Sequence, residues 1–405
     1  MTITTSATAT ADASTTRAQE EAVPDVAGTH EAGGCTFCAS APAPADEAGT
    51  LHLTHPLGHT RSKLRRALAA RFELQPSALG AFAVNVPEGR LHEATETAWE
   101  ALSAFERGSC RVFWDAPSEA RGARKVLERT LTLDGLRARL GSSWLVAMLH
   151  EKRFYNAFQP IVAASDLETP YAYECLLRGR LEDGQTVYPD AIFSTARAAD
   201  LLFQVDRAAR LSAISNARAC GISVPLFINF NPTAIYDPRF CLRSTTQAIR
   251  EAGIAPHDVV FEVVESDHIG SVEHLQTIIR FYRDQGFRVA LDDLGSGYSS
   301  LTLLAELRPD FVKFDRGLVS GVHTDPFKQK LLAKLLELAH ELGVATLAEG
   351  VERDEETAWL LAHGVAYLQG YAFAPPRCRH LYRSGAARRA GGSWPVVYWL
   401  LATDC

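Results

Sequence analysis

Residues Leu291 to Ser300 read L-D-D-L-G-S-G-Y-S-S, in which two adjacent carboxylates, Asp292 and Asp293, close an apolar run and Gly295 and Gly297 follow. Neighbouring side chains of a strand point to opposite faces, so both can serve one site only where the strand breaks, which the glycines allow. Adjacent carboxylates repel unless a cation or a hydrogen-bond network holds them. Taken alone, the decapeptide fits a divalent-metal pair or a solvated turn.

Six other short apolar runs carry residues of the same chemical kind. Glu174 lies in Y-A-Y-E-C-L-L-R, where Leu176 and Arg178 share its face and Cys175 points the other way. Asn229 stands in F-I-N-F-N-P, and Glu262 interrupts V-V-F-E-V-V with Glu265 at its exit. Lys313 breaks F-V-K-F-D on the face of Asp315, Glu349 closes the run T-L-A-E before G-V-E, and Gln369 sits in Y-L-Q-G-Y. Each alone has a structural explanation: a solvated edge, a capped turn, a snorkelling lysine, a glutamine bonding backbone. Converging on one place, they form an all-oxygen ligand set suited to Mg²⁺ or Mn²⁺, with too many carboxylates for one ion. Two metals sharing a bridging water is the natural reading. Lys313 would orient or help deprotonate that water, and Arg178 would offer a fork to a phosphate oxygen. The implied chemistry is phosphodiester hydrolysis.

Convergence requires a scaffold. Eight strands are predicted: Asn156 to Val162, Ala172 to Leu177, Leu226 to Phe230, Val259 to Val264, Arg288 to Leu291, Phe311 to Phe314, Ala345 to Ala348 and Tyr367 to Ala372. Helical stretches separate them. Between Asp325 and Gly343 the signals are a capping Asp325, Pro326 at the first position, a leucine stripe and a terminating glycine. Eight such units over residues 148–385 fit the ~250 residues of an α/β (β/α)8 TIM-type barrel, whose strand ends meet at one mouth. A doubly wound open sheet is the alternative, and it gives no reason for polar residues at so many strand ends.

Ahead of the barrel, residues 1–50 are rich in Ala, Thr, Ser, Gly and Pro and are expected to be a disordered leader. Within it Cys35 and Cys38, followed by His55 and His59, roughly mimic a zinc-ligand spacing, although the intervening segment lacks a finger's core and chance histidines explain it as well. Residues 51–141 alternate helical and strand-like runs, Ser62 to Leu74, Ala81 to Val86, Leu91 to Arg107, Cys110 to Trp114 and Glu119 to Leu131, and predict a small α/β regulatory or dimerisation module. Its Trp99, Leu102 and Phe105 at helical spacing are expected to be core. It contains no Gly-Gly-Asp-Glu-Phe-like turn, which argues against a diguanylate cyclase domain. Residues 386–405 form a C-terminal tail.

The 405 residues, 47% hydrophobic and 22% charged, are those of an ordinary globular protein. A formal net charge of -7 gives no reason to expect nucleic acid as a partner. No apolar run approaches the ~18 residues of a membrane span, so no membrane partner is expected, and eight scattered cysteines point to a reducing cytoplasm.

In order along the chain, F-Q-P-I-V, E-C-L-L-R, F-I-N-F-N-P, F-E-V-V-E-S, L-D-D-L-G-S-G-Y-S-S, D-F-V-K-F-D-R, A-E-G-V-E and L-Q-G-Y-A-F-A-P-P closely resemble the signatures of the EAL-type cyclic di-GMP phosphodiesterases, over residues 148–382. The resemblance implies hydrolysis of cyclic di-GMP to linear pGpG with two Mg²⁺ or Mn²⁺ ions, and a homodimer formed through the barrel. It implies metal ligands at Glu174, Asn229, Glu262, Asp292, Asp293 and Glu349, and catalytic roles for Lys313, Glu349 and Glu174. It implies substrate contacts at Arg178, Gln159, Leu176, Asp315 and Gln369, with Glu265 steadying the loop after Asp293. Cys175 replaces the usual alanine, Leu294 a phenylalanine and Val264 a threonine. Arg197 and Asp200 stand where the family has Glu and Gly, with no chemical consequence expected. A non-catalytic cyclic di-GMP receptor is the competing hypothesis, and a barrel acting on another phosphodiester or a sugar is a third.

Overall fold

The computed structural model describes residues 47–77, 79, 81–116, 126, 129–263, 271–294 and 300–378. The front module is a five-stranded sheet of β1 (Gly49–Thr54), β2 (Glu73–Gln75), β3 (Phe82–Val86), β4 (Arg111–Asp115) and β5 (Leu131–Thr132), in the order β2-β3-β1-β4-β5. The central β1 pairs antiparallel with both neighbours, and its alternate residues Leu51 and Leu53 are fully buried. They pack with Phe82, Val84 and Val86 of β3 against Leu64 and Leu68 of the helix Gly58–Ala69 and Ala94 and Ala98 of the helix Leu91–Glu100.

One expectation for this module fails. Trp99 and Leu102 pack in the core, but Phe105 is 86% exposed. The helical spacing does not continue through it, because Ser103 starts a new helix, Ala104–Ser109, with a reciprocal capping box to Glu106. Glu106 is also bound by Lys63 and Thr60. Its carboxyl is held well below the usual range, chiefly by the Lys63 ammonium and then by the Ser103 bonds. His55 is buried between backbone groups: the Leu57 N–H donates to Nδ1, and Nε2 faces the Glu106 carbonyl at 3.1 Å. Both ring nitrogens are thus engaged, which explains His55 without a metal; Cys35 and Cys38 lie outside the described residues, as does most of Glu119–Leu131.

The second sheet is closed. It consists of β6 (Phe154–Ala163), β7 (Asp166–Arg180), β8 (Thr186–Val187), β9 (Leu226–Phe230), β10 (Val259–Val263), β11 (Arg288–Leu294), β12 (Phe311–Phe314), β13 (Ala345–Ala348) and β14 (Tyr367–Gln369). The order β6-β14-β13-β12-β11-β10-β9-β7 returns to β6, giving an eight-stranded barrel, and β8 pairs on the far edge of β7. This is the expected barrel with one difference. β6 runs antiparallel to β7 and to β14, because two residues, Ala164 and Ser165, join β6 to β7 and a connection that short makes a hairpin, not a crossover.

Inside the barrel, Ile161, Ala172, Phe227, Val260, Ala290, Phe311 and Leu347 form one buried apolar floor, with Phe227 and Phe311 in edge-to-face contact at 5.2 Å. Outside, strand residues such as Cys175, Ile228, Phe261 and Leu291 pack against the helices. Cys175 is buried in the same cluster as Ala213, Ile214 and Ala217 of the helix Leu202–Cys220, as its alternation in β7 predicts. The module joins the barrel through the helices Leu133–Leu140 and Ser143–His150. Arg139 donates to the carbonyls of Ala199 and Asp200 at 3.2 and 3.3 Å. Asp200 has φ 55°, a left-handed turn that glycine adopts without strain. The Asp200 carboxylate also reaches Arg139, at 3.7 Å.

Candidate functional site

A second layer lies directly above the apolar floor. A strand residue and the one two positions on share a face. Ala172 is thus followed by Glu174, Phe227 by Asn229, Val260 by Glu262, Ala290 by Asp292, Phe311 by Lys313 and Leu347 by Glu349. In β14, Tyr367, which packs against the floor, is followed by Gln369. β6 runs the other way, so its polar residue precedes the apolar one: Gln159 comes before Ile161, and pairs across the sheet with Glu174. The register aligns Asn229 with Glu262 and places Ala290 beside it. Polar residues are thereby stacked around one level of the barrel.

Lys313 occupies the middle of this layer, fully buried. Its Nζ stands 2.6 Å from Glu262 Oε1, 2.6 Å from Glu349 Oε1, 3.0 Å from Asp292 Oδ1 and 3.7 Å from Glu174 Oε1. Asn229 and Gln369 both donate to Glu174, at 3.3 and 2.7 Å, one to each carboxylate oxygen. Burial opposes the Lys313 charge, the four carboxylates overcome it, and the ammonium is held well above its ordinary value. Burial pushes Glu262 well above the usual carboxylate range despite Lys313. Glu349 keeps 21% of its side chain exposed at the mouth, yet dense packing about the carboxyl drives it up to about 8. Asp293 rises to about 6, from burial first and then from Asp292.

One ammonium thus faces four carboxylates, with Asp293 beside them. Glu262 Oε1 and Glu349 Oε1 have only the Lys313 ammonium beside them, at 2.6 Å each, and Glu262 Oε2 and Gln369 Oε1 are buried without a hydrogen-bond partner. Asp292, Asp293 and Glu349 each bring an oxygen within 4.8 Å of the others. Hard oxygen donors, excess negative charge and orphaned acceptors fit a hard divalent cation.

The Asp pair reaches one site by a route the sequence does not show. β11 does not end at Leu291; it continues to Leu294, with a register shift between Leu291 and Leu294 against β12. Asp293 adopts φ 57° and its N–H donates to Asp292 Oδ1 at 3.0 Å. A bulge with a left-handed aspartate turns the two side chains together, at a backbone cost of about 1 kcal/mol. Gly295, Gly297, Val264 and Glu265 lie outside the described residues.

Other expected contacts sit around this centre. Asp315 contributes to the field on Asp293 while capping the helix Arg316–Val319 through Gly317. Gln159 donates to the Ala374 carbonyl at 3.4 Å. Arg178 lies off the layer: it donates to the Leu177 carbonyl, and its guanidinium stands 5.0 Å from the Tyr188 ring. Leu176, on the same face of β7, is half-buried. The sequence reading overlooked Asp206 and Arg210, a buried pair at 2.8 Å on the helix Leu202–Cys220. Asp206 Oδ1 accepts the Asn231 N–H at 2.8 Å and so anchors the chain two residues beyond Asn229. The available signal was an acid and a base four residues apart among buried positions.

The molecule is thus a closed α/β barrel with an acidic, lysine-centred layer at the strand ends. The sequence model of the EAL domain matches residues 142–376, more than half of the chain, and the chain belongs to the EAL domain family. A protein named probable cyclic di-GMP phosphodiesterase PdeN, from Escherichia coli (strain K12), is 30% identical over 250 residues, 60% of this chain and 47% of that protein. RocR of Pseudomonas aeruginosa, named a cyclic di-GMP phosphodiesterase, is 32% identical over 157 residues, 38% of this chain and 40% of RocR. The chain thus spans less than half the length of these curated relatives. Among solved structures, a standalone versatile EAL protein from Vibrio cholerae O395 in its c-di-GMP bound form is 37% identical, with a TM-score of 0.51, over 56% of this chain and 93% of that one. The EAL enzyme Bd1971 in its cAMP bound form shares the fold alone, at 18% identity and a TM-score of 0.54, over 82% of this chain and 91% of that one. Among the described residues no helix is long and apolar enough to cross a membrane.

Proposed function

We infer that this chain hydrolyses cyclic di-GMP to linear pGpG. The observation that supports the reading most is the layer itself: four carboxylates crowded around a single ammonium, with Glu262 Oε2 buried and unpartnered, on a barrel whose relatives are named for this substrate. Glu174, Asn229, Glu262, Asp292, Asp293 and Glu349 would hold two Mg²⁺ or Mn²⁺ ions. Those ions supply Lewis acidity toward a phosphate oxygen and a water made nucleophilic at neutral pH.

The protein's own residues do the rest. Lys313 would orient or help deprotonate the attacking water and offset charge that builds up on the phosphate. Glu349, the most exposed of the four carboxylates around Lys313, stands where water from the mouth meets the layer. Glu174 is held in one orientation by Asn229 and Gln369. Arg178, Gln159, Leu176 and Asp315 would supply contacts for the nucleotide. Water oxygen bonds to phosphorus, one P–O ester bond breaks, and the proton passes to the departing sugar oxygen.

The test is release of pGpG from cyclic di-GMP by the full chain with Mg²⁺ or Mn²⁺, beside Glu174→Ala and Lys313→Ala. Turnover that chelation abolishes and both substitutions reduce by at least ~100-fold supports the reading. Tight nucleotide binding with no turnover would instead make the barrel a receptor.

A further inference from the structure

Glu349 is the one carboxylate around Lys313 that lies beyond the end of its strand. β13 stops at Ala348, whereas Glu174, Glu262 and Asp292 stand within β7, β10 and β11. Strand register fixes those three but not Glu349, which depends on how residues 349–353 leave the barrel. Their backbone is tied on three sides. The Glu349 N–H donates to the Phe314 carbonyl of β12 and the Val351 N–H to the Gln369 carbonyl of β14, both at 3.0 Å. The Glu352 and Arg353 N–H groups donate to a single oxygen, Glu356 Oε2, at 3.0 and 3.1 Å.

The other oxygen of Glu356 reaches a different connection. Oε1 accepts the Gly321 N–H at 2.8 Å, in the segment between β12, which carries Lys313, and the helix Pro326–Glu341. Glu356 stands in the first turn of the helix Asp354–Ala362, where a glutamate often accepts the N–H of the capping residue. Capping accounts for the Arg353 bond alone. It gives no reason for a carboxylate only 1% exposed, on which three backbone donors from two connections converge. Burial opposes the charge, but the Gly321, Glu352 and Arg353 N–H groups outweigh it and hold the carboxyl below the usual range. Arg316 and Glu352, 2.9 Å apart, cross between the same two connections, yet both are exposed and solvent leaves the pair little weight. Glu356 is thus a buried link between the chain beyond Lys313 and the chain beyond Glu349.

We propose that Glu356 is a positioning residue for Glu349: its carboxylate pins the connections after β12 and β13 to each other and thereby holds the Glu349 side chain 2.6 Å from Lys313, in place for a cation. The proposal rests on the reading of the layer as a cation centre. Glu356 acts through the main chain, since its three bonds all come from backbone N–H groups. Glu356→Gln is the informative change, because it keeps the size of the side chain and leaves one acceptor oxygen for donors on two sides.

The experiment measures Mn²⁺ affinity by equilibrium dialysis, and backbone amide exchange without metal, on the full chain and on Glu356→Gln, Glu349→Gln and the two combined. Glu356→Gln should speed exchange across residues 349–353 and weaken Mn²⁺ binding by about 10-fold or more, with affinity referred to the folded fraction seen by circular dichroism. Glu349→Gln should weaken binding at least as much. Adding Glu356→Gln to it should bring no further loss, because a residue that acts through Glu349 has no effect once that carboxylate is gone. Glu356→Asp, which keeps the charge on a shorter side chain, goes through the same cycle if Glu356→Gln does not fold. A Mn²⁺ affinity that the substitution at 356 leaves unchanged overturns the proposal, and so do losses that simply add in the combined chain. Wild type that binds no Mn²⁺ overturns the cation reading and the proposal with it, which keeps the two failures apart.

Discussion

Two layers of the barrel interior, two residues apart on the same strands, obey opposite rules. Phe227 and Lys313 are equally inaccessible to solvent, at 1% each. For the floor of Phe227, Val260, Ala290 and Phe311, burial is the stabilising term. For the layer of Glu174, Glu262, Asp292, Lys313 and Glu349, burial is a cost that the single ammonium offsets only in part, as the upward displacement of Glu262, Glu349 and Asp293 records. The lesson is that strand geometry can carry a polar ring into a barrel core, but only the floor explains why the barrel is stable. On the proposed function, the upper layer is explained by the cations it would receive.

That contrast can be broken at its strongest point by Lys313→Met, which leaves the carboxylates with no counter-charge. Without divalent ions, urea unfolding should show a loss of about 3–5 kcal/mol, and excess Mg²⁺ should recover part of it. Unchanged stability would mean that the layer does not depend on its ammonium. Gln369→Ala is milder: losing the bond to Glu174 Oε2 should weaken Mn²⁺ binding by about 10–100-fold while the barrel stays folded. The floor is probed by Phe227→Leu, for which chemical denaturation should report about 1–2 kcal/mol less stability. Turnover per folded chain should stay close to wild type there, and a large loss would show that the layers are not separable. The smallest effect belongs to Phe105→Ser in the front module, within about 0.5 kcal/mol in thermal melting, since this aromatic packs against nothing that burial would reward.

The barrel was legible in the sequence because seven of its eight strands carry a polar residue, or the Asp292–Asp293 pair, in or at the end of an apolar run. Glu262 within V-V-F-E-V-V and Lys313 within F-V-K-F-D have no other simple reading once they recur around a ring. What the sequence did not show depends on conformation rather than on residue type. The antiparallel β6 hangs on the two residues Ala164 and Ser165. The shared orientation of Asp292 and Asp293 comes from a bulge at a left-handed aspartate, a conformation that aspartate favours more than most residues but that is still uncommon enough not to be read from one position. The exposure of Phe105 follows from the capping box at Ser103, which cuts a helical period that looks continuous. Asp206 and Arg210 act through the Asn231 backbone, and a backbone contact leaves no mark on residue spacing.

The central claim, that the polar layer is a two-cation centre, is tested most directly by counting Mn²⁺ ions bound per chain in equilibrium dialysis. Two ions on wild type, lost when Asp292→Asn and Asp293→Asn are combined, is the result predicted. No saturable binding, or binding that the double substitution leaves unchanged, would contradict it.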